Sequence, residues 1–228
     1  MTEDKHTNQQ TENKPKGKIF AIGDVHGCNR ELKKLLSLID PVPLTDRIVF
    51  LGDYIDRGPD SRGVVDTILD LKKTFPDTVC LRGNHEDLFL DSYLNEKNVE
   101  LYFFNRGAST LHSYGVSTAD FPAVKFLPEE HLKFFTNLLL HYETDDYIFV
   151  HAGLRPKVTL EEQSPEDLLW IRDEFISSRW DFGKIVIFGH TPLSKPLLEK
   201  NKIGIDTGAV YGGHLTCLEL PSRKIVQV

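Results

Sequence analysis

Five short apolar runs in this chain each stop at glycine and residues of metal-ligating type. Lys18–Ile22 leads into Gly23-Asp24-Val25-His26-Gly27, and Ile48–Leu51 into Gly52-Asp53-Tyr54-Ile55-Asp56-Arg57-Gly58. Val79–Leu81 leads into Arg82-Gly83-Asn84-His85-Glu86, Tyr147–Val150 stops at His151, and Ile185–Phe188 at Gly189-His190. A buried strand that ends in a polar residue delivers that side chain to the edge of a sheet, where loops can aim several side chains at one point. Asp24, His26, Asp53, Asn84, His151 and His190 are therefore expected to assemble into one metal site.

The rest of the composition narrows the context. At 228 residues the chain is long enough for one domain that buries most of its apolar surface. No run of about 18 apolar residues is present, so no membrane-spanning helix is expected. A formal net charge of −7 argues against broad binding to nucleic acid or an anionic membrane, which calls for a basic surface. The three cysteines, Cys28, Cys80 and Cys217, show no C-x-x-C spacing, which fits a reducing, cytoplasmic setting better than a disulfide framework. Residues 1–17 are polar throughout after Met1 and read as a disordered tail ahead of a domain over 18–228.

Strands and helices alternate after that tail: strand Lys18–Ile22, helix Arg30–Asp40, strand Arg47–Leu51, helix Ser61–Lys73, strand Thr78–Leu81. Leu32, Leu35, Leu36 and Ile39 mark the apolar face of the first helix, and Val64, Val65, Ile68 and Leu71 that of the second. Asp60 and Ser61 are candidate N-caps. This alternation implies parallel strands joined by crossovers. From about 86 to 140, aromatic residues and helical periodicity predominate, which predicts a helical insertion over one end of the sheet. Strands return from His141 onward, and their close succession predicts a second, largely antiparallel sheet. No Walker-type or G-x-G-x-x-G loop is present, so a nucleotide cofactor is not indicated.

Asp24 and His26 are two residues apart in a tight glycine-flanked loop and can converge on one ion. Asp53 occupies the equivalent place after the next strand, and its two oxygens can bridge two cations. Asn84, His151 and His190 would complete the second ion. Imidazole, carboxylate and amide oxygen without thiolate suit Mn, Fe or Zn. Two such ions about 3.5–4 Å apart can polarise a phosphoryl oxygen and generate a hydroxide nucleophile.

The three long motifs, with His151-Ala152-Gly153 and Gly189-His190-Thr191, resemble the signature segments of the phosphoprotein phosphatase family, especially its compact bacterial and phage members. The resemblance runs from about Lys18 to the C-terminus. It implies an α/β calcineurin-like metallophosphoesterase fold, in which two mixed β-sheets pack face to face between α-helices. It also implies one ion on Asp24, His26 and Asp53 and a second on Asp53, Asn84, His151 and His190, with Mn preferred over Fe or Zn. Ala152 departs from the eukaryotic pattern, where a second glycine is usual, and so puts eukaryotic-style regulatory subunits in doubt.

Hydrolysis of a phosphate monoester also needs positive charge at the phosphate and a proton for the leaving oxygen. Arg57 can supply a bidentate contact, His85 the proton, and Asp56 a partner that favours protonated His85. Asn84 is a further candidate phosphate contact. Trp170-Ile171-Arg172 resembles the segment that carries a second phosphate-binding arginine in the phage-type members, so Arg172 is favoured over Arg155 and Arg179. The expected activity is that of a serine/threonine protein phosphatase, extending to phosphotyrosine, with a phosphoprotein or phosphopeptide as partner. The rival is a dinucleoside polyphosphate hydrolase, against which the intact Asp56-Arg57 pair argues because those enzymes resemble an altered second motif. A silent phosphoprotein-binding scaffold would lack a ligand, the acid or the arginine, and none is missing.

Overall fold

The structure, a computed structural model, describes residues 17–228. The tail expected over residues 1–17 lies, apart from Gly17, outside the described residues. The first part of the chain follows the expected alternation: β1 (Ile19–Ile22), α1 (Asn29–Leu38), β2 (Arg47–Phe50), α2 (Ser61–Thr74) and β3 (Val79–Cys80). Asp60 is the N-cap of α2, its side chain accepting from the Gly63 N–H at 2.9 Å.

Helices then dominate: α3 (Asn84–Asn95), α4 (Val99–Phe104), α5 (Ala108–Ser113) and α6 (Glu129–Thr136). They are followed by β4 (His141–Glu143), β5 (Tyr147–Val150), α7 (Pro165–Trp170), α8 (Asp173–Ile176) and β6 (Ile185–Phe188). The chain ends in β7 (Leu197–Leu198), β8 (Lys202–Gly204), β9 (Thr216–Leu220) and β10 (Lys224–Gln227).

The strands form two five-stranded mixed sheets, ordered β10-β9-β1-β2-β3 and β4-β5-β6-β8-β7. Period-two alternation assigns each side chain to a layer. Ile19, Ala21, Val49 and Leu51 face Phe149, Ile187, Ile203 and Ile205 of the other sheet. The alternate residues Phe20, Ile22, Ile48 and Phe50 pack under α1, α2 and the aromatic helices. Ile148, Val150, Val186 and Phe188 pack on Leu168, Ile171 and Phe175 of the α7–α8 region. The result is a four-layer α/β/β/α arrangement.

One expectation is corrected. The second sheet is not largely antiparallel: β5, β6 and β8 run parallel, with only the edge strands β4 and β7 antiparallel. The β5–β6 crossover runs through α7 and α8, of six and four residues, too short to show helical periodicity in sequence. The last strands, β9 and β10, instead complete the first sheet beside β1, antiparallel. This parallel core brings His151 and His190 to the same edge as Asp24, Asp53 and Asn84.

Phe89, fully buried on α3, has Tyr93, Tyr102, Phe121, Phe126 and Phe135 within 6.3 Å between ring centroids. Phe89→Ala should lower the unfolding free energy by about 3–5 kcal/mol, as emptied aromatic sites in cores do. Leu38→Ala, at a residue 55% exposed, should stay within about 0.5 kcal/mol. Urea unfolding of the two variants provides the comparison.

Candidate metal centre and active site

The loops after β1 and β2 interlock through their backbones. The Asp53 carbonyl accepts from the Val25 and His26 N–H groups at 3.0 and 2.8 Å, and the Tyr54 carbonyl from Gly27 at 2.8 Å. A Cβ on Gly58 would lie 1.9 Å from the His26 carbonyl oxygen, so glycine is required where the two loops touch. His26, Asp53, Asp56, Arg57 and His190 all have positive φ, from 44° to 68°. Such non-glycine backbone costs on the order of 1–3 kcal/mol per residue and persists only where surrounding contacts impose it.

Glu86 supplies the main restraint. Its Oε2 accepts from the Asp53 and Gly83 N–H groups at 2.9 and 3.0 Å, and its Oε1 from Tyr54 and Ile55 at 2.9 and 3.3 Å. Burial, and Asp53 beside it, push this carboxyl up to about 8. All four lone pairs nevertheless face N–H donors and leave no place for a proton, so the group stands ionised.

The six residues expected to ligate metal come together, all buried. His26, Asp53 and His85 each place a ligand-type atom within 4.8 Å of the others, and so do Asp53, His151 and His190. Asp53 is common to both groups. Asn84 Oδ1 lies 3.0 Å from both His151 Nε2 and His190 Nδ1. Asp24 reaches the site from the other side, its two oxygens accepting from the His190 N–H at 3.1 and 3.0 Å.

Tautomers decide what these atoms face. His151 Nδ1–H donates to the Leu51 carbonyl at 2.9 Å, and His26 Nδ1–H to the Ile55 carbonyl at 2.8 Å. Nε2 of each ring therefore presents a lone pair, 3.5 and 3.3 Å from Asp53 oxygens. Lone pairs of two imidazoles, an amide and a shared carboxylate thus converge without protons between them, an arrangement that suits cations. Burial lowers the His151 pKa, and burial with His151 beside it takes His190 down to about 2, so both rings are neutral. Burial opposes the charge on Asp53, but His85 beside it, whose pKa is raised, favours that charge, and the carboxyl stays well below the usual range. Burial, Asp206 and Asp53 raise Asp24 well above it. The donor set suits two metal ions.

His85 is the exception within its group. Its Nδ1 is bonded to Asp56 Oδ2 at 2.7 Å, and its Nε2 has no hydrogen-bond partner among the described residues. Burial lowers the His85 pKa, but Asp53 and the Asp56 hydrogen bond outweigh it and leave it raised. Arg57 lies against His26 Nε2, with its guanidinium 5.6 Å from the centre of the exposed Tyr211 ring. Arg172 donates to the His190 carbonyl and Thr191 Oγ1, both at 3.2 Å, and is exposed at the rim. Arg155 is bound to Asp167 and Glu174, and its exposed guanidinium is committed to them. Arg179 is exposed.

Residues 17–217 match the model of the calcineurin-like phosphoesterase family. The chain belongs to that family. Across 203 residues it is 32% identical to serine/threonine-protein phosphatase 1 of Salmonella typhimurium, covering 87% of this chain and 89% of that one. Across 240 residues it is 30% identical to the asymmetrical bis(5'-nucleosyl)-tetraphosphatase PrpE of Anoxybacillus flavithermus, covering 91% and 92%. A crystal structure of a cold-active protein tyrosine phosphatase superposes with a TM-score of 0.69 at 18% identity, covering 95% of this chain and 77% of that one. This phosphoesterase chain thus has relatives of both substrate classes at near-equal similarity. Among its described residues no helix is long and apolar enough to cross a membrane.

The sequence reading passed over several residues of the site. Asp206 follows β8 with only Ile205 between, the same strand-then-aspartate pattern as Asp24 and Asp53, and could have been found that way. Glu86 stands inside a recognised motif and three residues into α3, the position from which a carboxylate reaches back to the helix start. Tyr102 and Thr110 carried no local signal.

Asp53→Asn should lower metal content in both positions, because one shared carboxylate loses its charge. Asp24→Asn should deplete one equivalent only. Metal analysis after gel filtration distinguishes these outcomes, and full occupancy in Asp53→Asn would exclude a bridging role.

Proposed function

We propose that this phosphoesterase is a dinuclear-metal phosphomonoesterase that hydrolyses phosphoserine and phosphothreonine in proteins, and phosphotyrosine as well. Asp24, His26 and Asp53 would hold one ion, and Asp53, Asn84, His151 and His190 the other. Mn is the preferred ion for this nitrogen–oxygen set, which also suits Fe and Zn. Ions there would supply Lewis acidity toward phosphoryl oxygens and a nucleophile at neutral pH.

The chain's own residues account for the remaining requirements. Arg57, against His26, and Arg172, bonded to the His190 carbonyl, carry guanidinium charge to the centre and can bind phosphoryl oxygens bidentately. Asn84 keeps its amide N–H₂ as a donor when Oδ1 serves as a ligand. Water adds to phosphorus and releases one proton to solvent while the bond from phosphorus to the serine oxygen breaks, and solvent later reprotonates His85. His85 Nε2–H gives its proton to that departing oxygen, while Nδ1–H remains on Asp56.

The observation that carries this reading is His85: fully buried, one nitrogen fixed by a buried carboxylate at 2.7 Å and the other without a partner beside the ligand cluster. A serine or threonine alkoxide is strongly basic and needs a proton to leave. A nucleotide leaves as a phosphate whose own second pKa is near 6, about the value of a phosphoserine, and needs none. A positioned acid is therefore better explained by an alkyl phosphate than by a dinucleoside tetraphosphate. The rival reading rests on the tetraphosphatase relatives.

Metal-stripped protein should release phosphate from a phosphothreonine peptide when Mn²⁺ is restored, and act far more slowly on diadenosine tetraphosphate. The reverse preference would overturn the assignment. His85→Asn should retain metal and lose about 10²–10⁴ in kcat on the peptide. Loss of metal from that variant would instead make His85 a ligand. Arg172→Ala should raise KM or lower kcat tenfold or more, whereas Arg155→Ala should change neither appreciably, as steady-state kinetics would show.

A further inference from the structure

Asp56 is a point at which α4 and α5 reach the active site, through Tyr102 and Thr110. Its Oδ2 holds His85, while its Oδ1 accepts from Thr110 Oγ1 at 2.5 Å and from the Tyr102 hydroxyl at 3.1 Å. Its backbone N–H donates to the same Thr110 Oγ1 at 2.9 Å and to Ser61 Oγ at 3.1 Å. Thr110 thus accepts from the main chain and donates to the side chain of one residue, and that residue has φ +68°. Asp56, Thr110, Tyr102 and Ser61 are all fully buried. The Tyr102 ring cannot turn aside: a Cβ on Gly107 would lie 2.3 Å from it, and its hydroxyl also faces the Gly107 carbonyl at 3.1 Å.

We propose that Thr110 and Tyr102 are positioning residues that act through Asp56 to aim the His85 side chain at the leaving oxygen. The geometry favours this role over ordinary satisfaction of a buried carboxylate, because both hydroxyls act on the oxygen opposite the one bonded to His85. Without them the carboxylate is free to rotate about its Cβ–Cγ bond, and the imidazole follows. The inference rests on the reading of His85 as the acid, and its test separates the two.

The test compares two substrates that differ in their need for a proton. Nitrophenolate leaves unprotonated, so 4-nitrophenyl phosphate reports on the metals and arginines alone, whereas a phosphoserine peptide reports on the acid as well. Thr110→Val should cut kcat on the peptide by about ten- to a hundredfold, part of the about 10²–10⁴ that a placed acid supplies. It should leave 4-nitrophenyl phosphate, peptide KM and metal content nearly unchanged. Thr110→Ser, which keeps the hydroxyl, should restore the peptide rate. Tyr102→Phe should show the same selectivity more weakly, and removes only one oxygen should the valine variant fold poorly.

Equal losses on both substrates in the folded variants, or none, would overturn the positioning role. If His85→Asn shows the selectivity while Thr110→Val and Tyr102→Phe do not, the acid stands and the proposal fails. If His85→Asn itself loses equally on both substrates, the acid reading fails and takes the proposal with it.

Discussion

The Glu86 carboxylate is the contact on which the site depends. It joins the start of α3 to the loop after β2 through four N–H groups, and one of them belongs to Asp53, the residue shared by both ligand groups. Asp53 has φ +51°, a conformation the isolated loop would seldom adopt. A buried carboxylate with an unmet lone pair is costly, and so is an unmet buried N–H. Each partner therefore enforces the other, and the strained loop is stable as part of the set.

The two sheets are coupled to that loop by hydrogen bonds that cross between them. His151, at the end of β5, donates to the Leu51 carbonyl beyond β2, and the His190 N–H donates to Asp24 beyond β1. The first sets which ring nitrogen of His151 carries a lone pair, and the second fixes the backbone that carries the His190 ring, the role that outer hydrogen bonds commonly play around metals. The face-to-face packing of Ile19, Ala21, Val49 and Leu51 on Phe149, Ile187 and Ile203 holds the two strand edges in register. The core thereby acts as the jig for the centre.

The division between legible and illegible features follows interaction range. The early strands and helices could be read because each carries its own period and its own stop signal, such as Asp60 ahead of α2. The candidate ligand residues could be read because each lies just beyond a strand. The parallel order of the second sheet could not, because α7 and α8 are too short to show a period. Nor could the return of β9 and β10 to the first sheet, since pairing with β1 is a property of two distant segments. Thr110 and Tyr102 meet Asp56 across 54 and 46 positions, with nothing local to announce them.

By itself the sequence determined the α/β class, the chemistry of the donor atoms and their delivery to strand ends. Those are consequences of residue type and of local periodicity, which act over a few residues. Tertiary structure alone decided which histidine nitrogen presents a lone pair, that Arg155 is bound to Asp167 and Glu174 while Arg172 stands at the rim, and that a distant helical segment grips Asp56. Each of these depends on the direction of a hydrogen bond between groups far apart in the chain, and direction exists only once the layers have packed.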